Sequence, residues 1–151
     1  MADLNVEIVT PDGPVFTGKV ISCTAPGANG QFQILVGHAP FLANLQIGEI
    51  KIQENTKGQK KLATSGGFLE VKDNNISIIV ESAEFADNID VTRAKEAEKR
   101  ARKRLEEKGE IDFVRADLAL LRALNRLKAI KSTILPFQTL LFIFTRKSYY
   151  T

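Results

Sequence analysis

Three observations predict a two-part fold, an antiparallel β-sandwich followed by an antiparallel two-helix hairpin. Apolar residues alternate with polar ones up to about Glu84, the period then changes to 3.6 from Asp90, and the charge changes sign at the same place. Residues 1–87 carry 6 Lys/Arg against 10 Asp/Glu, and residues 88–132 carry 13 against 8. A charge break that coincides with a change of period marks a boundary. The sequence therefore divides into a β domain (1–87), a helical hairpin (88–132) and a hydrophobic tail (133–151).

In the first part, Leu4, Val6 and Ile8 face one way while Asn5 and Glu7 face the other. Ile50 and Ile52 follow Leu45, Ile47 and Gly48 in the same alternation, and Leu69 and Val71 lead through "KDNN" to Ile76, Ile78 and Val80. This period of two is that of strands with one buried face. Turn chemistry at "TPDG", "PGANG", "NTKG" and "KDNN" punctuates it, and many short strands at even spacing suit a sandwich or barrel. The single cysteine, Cys23, lies in the strand-like "VISCTA", which excludes an internal disulfide and implies a buried thiol in a reducing compartment. "MADLNVEIV" has no secretory signature, and no run is long and apolar enough for a membrane span.

In the second part, Ala94, Ala97, Ala101 and Leu105 form one stripe of a helix that Gly109 is placed to stop. The next helix, about Asp112 to Ile130, turns Phe113, Ala116, Leu120, Ala123, Leu127 and Ile130 to one side, and Val114, Leu118 and Leu121 widen that face. A short loop between them requires an antiparallel pair. Their shared interface is thin, because a buried alanine contributes one methyl, roughly 0.8 kcal/mol. The apolar surplus of the second helix must pack on the β domain or on another protein. After it, Pro136 is expected to end the helix, and the run Ile134–Phe144 to be either packed on a partner or disordered.

The two helices also repeat each other. Nine of the 17 positions from Ile89 to Leu105 are identical in Ile111 to Leu127, including Ile-Asp-x-x-Arg-Ala. Amphipathic helices built from good helix formers resemble one another anyway. The spacing nevertheless sets Arg93, Arg100 and Arg104 along one side of the first helix, and Arg115, Arg122 and Arg126 along one side of the second.

No catalytic constellation is present in the sequence. The lone histidine, His38, sits in a turn, where a structural role is the ordinary one. There is no Cys/His cluster for a metal, no Walker loop and no G-x-G-x-x-G. The paired glycines of "SGGF" (Ser65 to Phe68) suit a bulge or a close backbone approach. The alternative is a β-barrel nucleic-acid-binding protein with a basic helical appendage, suggested by "KEAEKRARKR". Interleaved glutamates, an acidic β half and the lack of a stacking platform weigh against it.

The blocks "VEIVTPDGPVFTG", "GQFQILVGHAPFLANLQIGEI", "SGGFLEV", "DVTRAKEAEKRA" and "RALNRL", in this order and spacing, resemble the epsilon subunit of bacterial ATP synthase from about Asn5 to Lys131. The resemblance implies a non-catalytic rotor subunit, one copy per complex, peripheral on the cytoplasmic face of the bacterial inner membrane. It implies a β domain docked on the gamma subunit and the membrane c-ring, with interface residues at Gln31, Gly37, His38 and Pro40. Its hairpin would inhibit ATP hydrolysis, reaching the alpha/beta catalytic head when extended. No cofactor is implied as a requirement. ATP is implied as a regulatory ligand, held by Glu84, Ile89, Asp90, Arg93, Ala94, Arg100, Arg122 and Arg126. The chain departs from the family at Gly30-Gln31-Phe32-Gln33, where Gly-Glu-x-Gly is usual, and in continuing past Ser132.

Overall fold

Alternating burial builds the first part of the chain. The computed structural model describes residues 3–107 and 112–145, with side chains as far as residue 131. Ten strands are described: β1 (Leu4–Thr10), β2 (Gly13–Val20), β3 (Ser22–Gly27), β4 (Gly30–Leu35), β5 (Phe41–Leu45), β6 (Gly48–Glu54), β7 (Gly58–Thr64), β8 (Gly67–Lys72), β9 (Asn75–Val80) and β10 (Ala83–Phe85). They lie in one hydrogen-bonded path, β10-β7-β6-β3-β5-β8-β9-β1-β2, with β4 paired to β3. Only Gly27 against Leu45 joins β3 to β5, so the path folds there into the two layers of a sandwich. The alternating residues Leu4, Val6, Ile8, Ile50, Ile52, Leu69, Val71, Ile76, Ile78 and Val80 fill the space between the layers.

Turn chemistry closes the hairpins as the sequence indicates. Asp73 and Asn74, both with positive φ, are the two central residues between β8 and β9, the geometry of a two-residue I′ turn. One strand pair corrects the antiparallel expectation, since β1 runs parallel to β9, Asn5 to Val9 against Asn75 to Ile79. Alternation reports which face is buried and is blind to strand direction.

Cys23 is fully buried in β3, and burial pushes its thiol up to about 12. The folded protein holds this proton where the unfolded chain releases it near pH 9, so this group subtracts stability as pH rises above 9. At pH 8 the native thiol should react with iodoacetamide about 1,000-fold more slowly than in denaturant. Comparable rates would place the thiol at the surface.

A 3-10 turn, Ala86–Asn88, leads into α1 (Val91–Glu106), and α2 (Phe113–Thr145) follows. Asp90 caps α1, its carboxylate accepting the Arg93 N–H at 3.0 Å, and Asp112 does the same for Arg115 at 3.0 Å. The repeated Ile-Asp-x-x-Arg-Ala is thus a repeated helix start, each cap contributing about 1 kcal/mol. Ala94, Ala101, Ala116 and Ala123 are all buried, which makes the hairpin's inner surface one of methyl groups. Phe113, expected on that inner face, is 55% exposed, because it belongs to the first turn of α2, beyond the outermost buried residue, Ala116. Gly109, the expected stop of the first helix, lies outside the described residues.

Pro136 does not end α2, which continues to Thr145. Proline removes one backbone hydrogen bond and crowds one carbonyl, at a cost of about 3 kcal/mol, but the turns on either side keep their own bonds. The backbone of the tail is therefore helical as far as Thr145, and residues 146–151 lie outside the described residues. No helix among the described residues is long and apolar enough to cross a membrane.

Candidate functional site

The hairpin rests on β6, β7 and the 3-10 turn, with Ala63, Ala86, Ile89, Ala94 and Ala129 buried together beneath Leu127 and Ile130. Where β10 ends and α1 begins, a cavity of about 390 Å³ opens between the helices and the sandwich. It is lined by Glu84, Asn88, Ile89, Asp90, Arg93, Ala94, Ala97, Arg100 and Arg126. Seven of the eight residues named for a nucleotide are therefore brought together. The sequence carries them 42 positions apart, and the docked hairpin closes that gap.

Charge and shape suit a polyanion. Three guanidinium groups face two carboxylates, and one of those carboxylates, Asp90, is engaged in capping the helix. The positive end of the α1 dipole opens on the same space. Arg126 donates from Nε to Glu84 Oε2 at 3.2 Å, whereas Arg100 stands 3.9 Å from Glu96 on its own helix. Both are partly exposed pairs, each worth at most about 1 kcal/mol, so neither holds its arginine firmly. Ile89, Ala94 and Ala97 supply the small apolar part of the lining.

Arg122 does not join this cavity. One turn before Arg126 on α2, it points into a neighbouring groove and reaches 4.0 Å from Glu81. That groove, about 680 Å³, runs between α2 and the loops at Gln46, Ile47, Ser65 and Glu81. Leu118, Leu121 and Leu124 form its apolar side and are 37–45% exposed, and Val114 is exposed above them. The surplus face of the second helix is thus only partly covered by the β domain. Asn88 and Ala97 are missing from the set read in the sequence. Asn88 stands next to the motif and Ala97 is the following residue of the alanine stripe.

The residues named for partner contact come from the two ends of β4. Gln31 lies at the start of β4, opposite Pro26, while Gly37, His38 and Pro40 lie in the loop after its end. Phe41 links the two ends, its ring lying 5.2 Å from that of Phe32, next to Gln31, and 5.8 Å from that of His38. Gly37 donates its N–H to Asn74 Oδ1 at 2.7 Å, which ties the loop to the β8–β9 turn. The His38 ring nitrogen Nδ1 stands 2.8 Å from the Ala39 carbonyl oxygen and the ring packs near Phe41. Across β5, β8 and β9, the outer face exposes Leu42, Phe68 and Ile79, of which Phe68 and Ile79 are cross-strand neighbours.

The beta-sandwich domain of the ATP synthase Delta/Epsilon chain matches residues 3–86, and the long alpha-helix domain of the same chain matches residues 87–131. The ATP synthase epsilon chain of Desulforamulus reducens is 47% identical over 125 residues, covering 82% of this chain and 94% of its own. That of Bacillus pumilus is 42% identical over 127 residues, covering 84% and 96%. Among solved structures, a chain of the Euglena gracilis mitochondrial ATP synthase has the same fold, with a TM-score of 0.74 at 19% identity, covering 89% of this chain and 82% of that one. With both parts of the chain matched in order, and relatives aligned over nearly their whole length, this chain belongs to the ATP synthase delta/epsilon chain family.

Proposed function

We propose that this chain is the epsilon-type central-stalk subunit of a proton-translocating ATP synthase, non-catalytic, with a β domain that docks on the rotor and a hairpin that restrains ATP hydrolysis. The observation that carries the reading is the hairpin's divided surface. A small apolar cluster, two partly exposed ion pairs and the Asn125 amide hold it to the sandwich, while Leu118, Leu121 and Leu124 remain exposed for another partner. An element bound weakly on one face and apolar on the other is suited to exchanging partners. Its second partner would be the alpha/beta head, and ATP in the arginine-lined cavity would favour the docked form. Leu42, Phe68 and Ile79 supply an apolar face for the gamma subunit, with the c-ring contacted from the β4 end of the domain. The subunit would then sit peripherally on the cytoplasmic side of the membrane.

The nucleic-acid alternative is not favoured. Arg102 is paired with Glu98 at 2.9 Å and Arg100 faces Glu96, so two of the run's six basic residues are directed to glutamates of their own helix. Truncation after Asp87 tests the rotor reading. The β domain has its own closed core, so it should fold, join the complex and leave ATP hydrolysis unrestrained. Failure of the truncated chain to assemble, or hydrolysis as restrained as with the full chain, would count against it.

A further inference from the structure

Among the contacts beneath α2, that of Asn125 differs in kind. Its side-chain nitrogen donates to the Gly48 carbonyl at 2.8 Å and lies 3.4 Å from the Thr64 carbonyl. These two residues are cross-strand partners at the end of the β6–β7 ladder. The corner they form is fixed from below. Thr64 is buried, its hydroxyl donates to the Ser82 carbonyl at 3.1 Å, and it accepts the Gly66 N–H at 3.2 Å. The hydroxyls of Ser65 and Ser82 are hydrogen-bonded to each other beside it.

We propose that Asn125 is a positioning residue whose amide sets the register at which the hairpin docks, and thereby presents Arg126 to Glu84 and the nucleotide cavity. The proposal rests on the mobile, nucleotide-sensing hairpin put forward above. Alanine contacts are non-directional and tolerate sliding. Arginine pairs bridge through long flexible side chains. Asn125 has a short side chain and two main-chain acceptors, so it satisfies one placement of the helix. Moving α2 by a single residue shifts it 1.5 Å and rotates it by about 100°, which breaks both contacts. With Asn125 seated, the next residue, Arg126, faces β10 and Glu84, and Arg122 one turn earlier faces Glu81. Docking and assembly of the nucleotide site become a single event.

Both acceptors are carbonyls, so the site requires a donor. Asn125→Asp keeps the volume and replaces the donor by a carboxylate facing two carbonyl oxygens, while Asn125→Gln keeps the donor and adds a methylene. Spin labels at Lys57→Cys on the β6–β7 turn and Lys99→Cys on α1 report the hairpin's position in the full chain, and buried Cys23 stays unlabelled. The docked-to-undocked ratio should fall at least tenfold in Asn125→Asp and stay within about threefold of wild type in Asn125→Gln, with β-domain melting unchanged in both. A role in packing alone would reverse the order, because the longer side chain would then be the more disruptive. If the wild type shows two distances and Asn125→Asp shows them in the same ratio, the positioning role falls and the mobile hairpin stands. A single docked distance in the wild type and in both variants overturns the two together.

Discussion

Gly67→Ala should destabilise the β domain by about 3 kcal/mol or more, enough to leave the isolated protein largely unfolded in moderate urea. Gly67 opens β8 with φ of 153°, and a Cβ built there would lie 2.1 Å from the Ile79 carbonyl oxygen and 2.8 Å from the Val80 Cα. Both are backbone atoms of β9, the strand to which Gly67 is paired. No rotamer change relieves the overlap, so the strands must separate where the sandwich turns its corner. Gly58→Ala is the matched comparison. Its φ is 80°, but nothing lies within 4 Å of the added Cβ, so only the strained backbone conformation is charged, about 1 kcal/mol. Urea melts of the two variants separate close approach from backbone preference. Equal losses would show that the β8–β9 pair yields easily at Gly67.

Arg93→Ala and Arg126→Ala should each weaken ATP binding by at least tenfold, about 1.4 kcal/mol, and the double variant should depart from the product of the two, because both would grip one triphosphate. The two arginines come from different helices and line the same cavity, so a triphosphate gripped by both would also bind the helices to each other. Arg126 is shared with Glu84, which a phosphate must displace. Arg93 has no ion pair within 4.0 Å among the described residues and is available at once. Arg102→Ala serves as the control, because Arg102 pairs with Glu98 and does not line the cavity. Calorimetry on the purified chain reads the constants directly. The absence of heat at millimolar ATP, with no change in the spectra of α1 amides, would remove the nucleotide from the mechanism and leave a purely mechanical hairpin.

Wherever burial is one-sided, the sequence was enough to place the elements. Leu4, Val6 and Ile8 betray a strand, and Ala94, Ala97 and Ala101 a helix, because water sorts side chains with the period of the backbone. Direction left no such trace, so the parallel pairing of β1 with β9 was invisible. Pro136 misled because its local penalty was read as a terminus, when it deletes one bond of a ladder. The resemblance named a set of residues of which Glu84, Asp90, Arg93 and Arg126 line one cavity, while Arg122 faces the neighbouring groove. Helical spacing fixes the angle of a residue on its own helix, and the neighbouring strands decide which residue it meets. Asn125 stood within "RALNRL", but its residue type and spacing named no partner. Its partners are main-chain carbonyls, which every residue but none in particular supplies.

The alanine lining of the hairpin also bears on how its position responds to temperature. Alanine has no rotamers to freeze, so seating these helices orders few side chains and releases few on departure. The area covered is small as well, and the heat-capacity change of burial scales with that area. A docking equilibrium of this kind has shallow curvature with temperature, in contrast to the steep dome that governs unfolding of the sandwich beneath it. The docking enthalpy then stays nearly constant over the working range, so a van 't Hoff plot of the docked fraction should be close to a straight line, whereas that for unfolding of the sandwich bends.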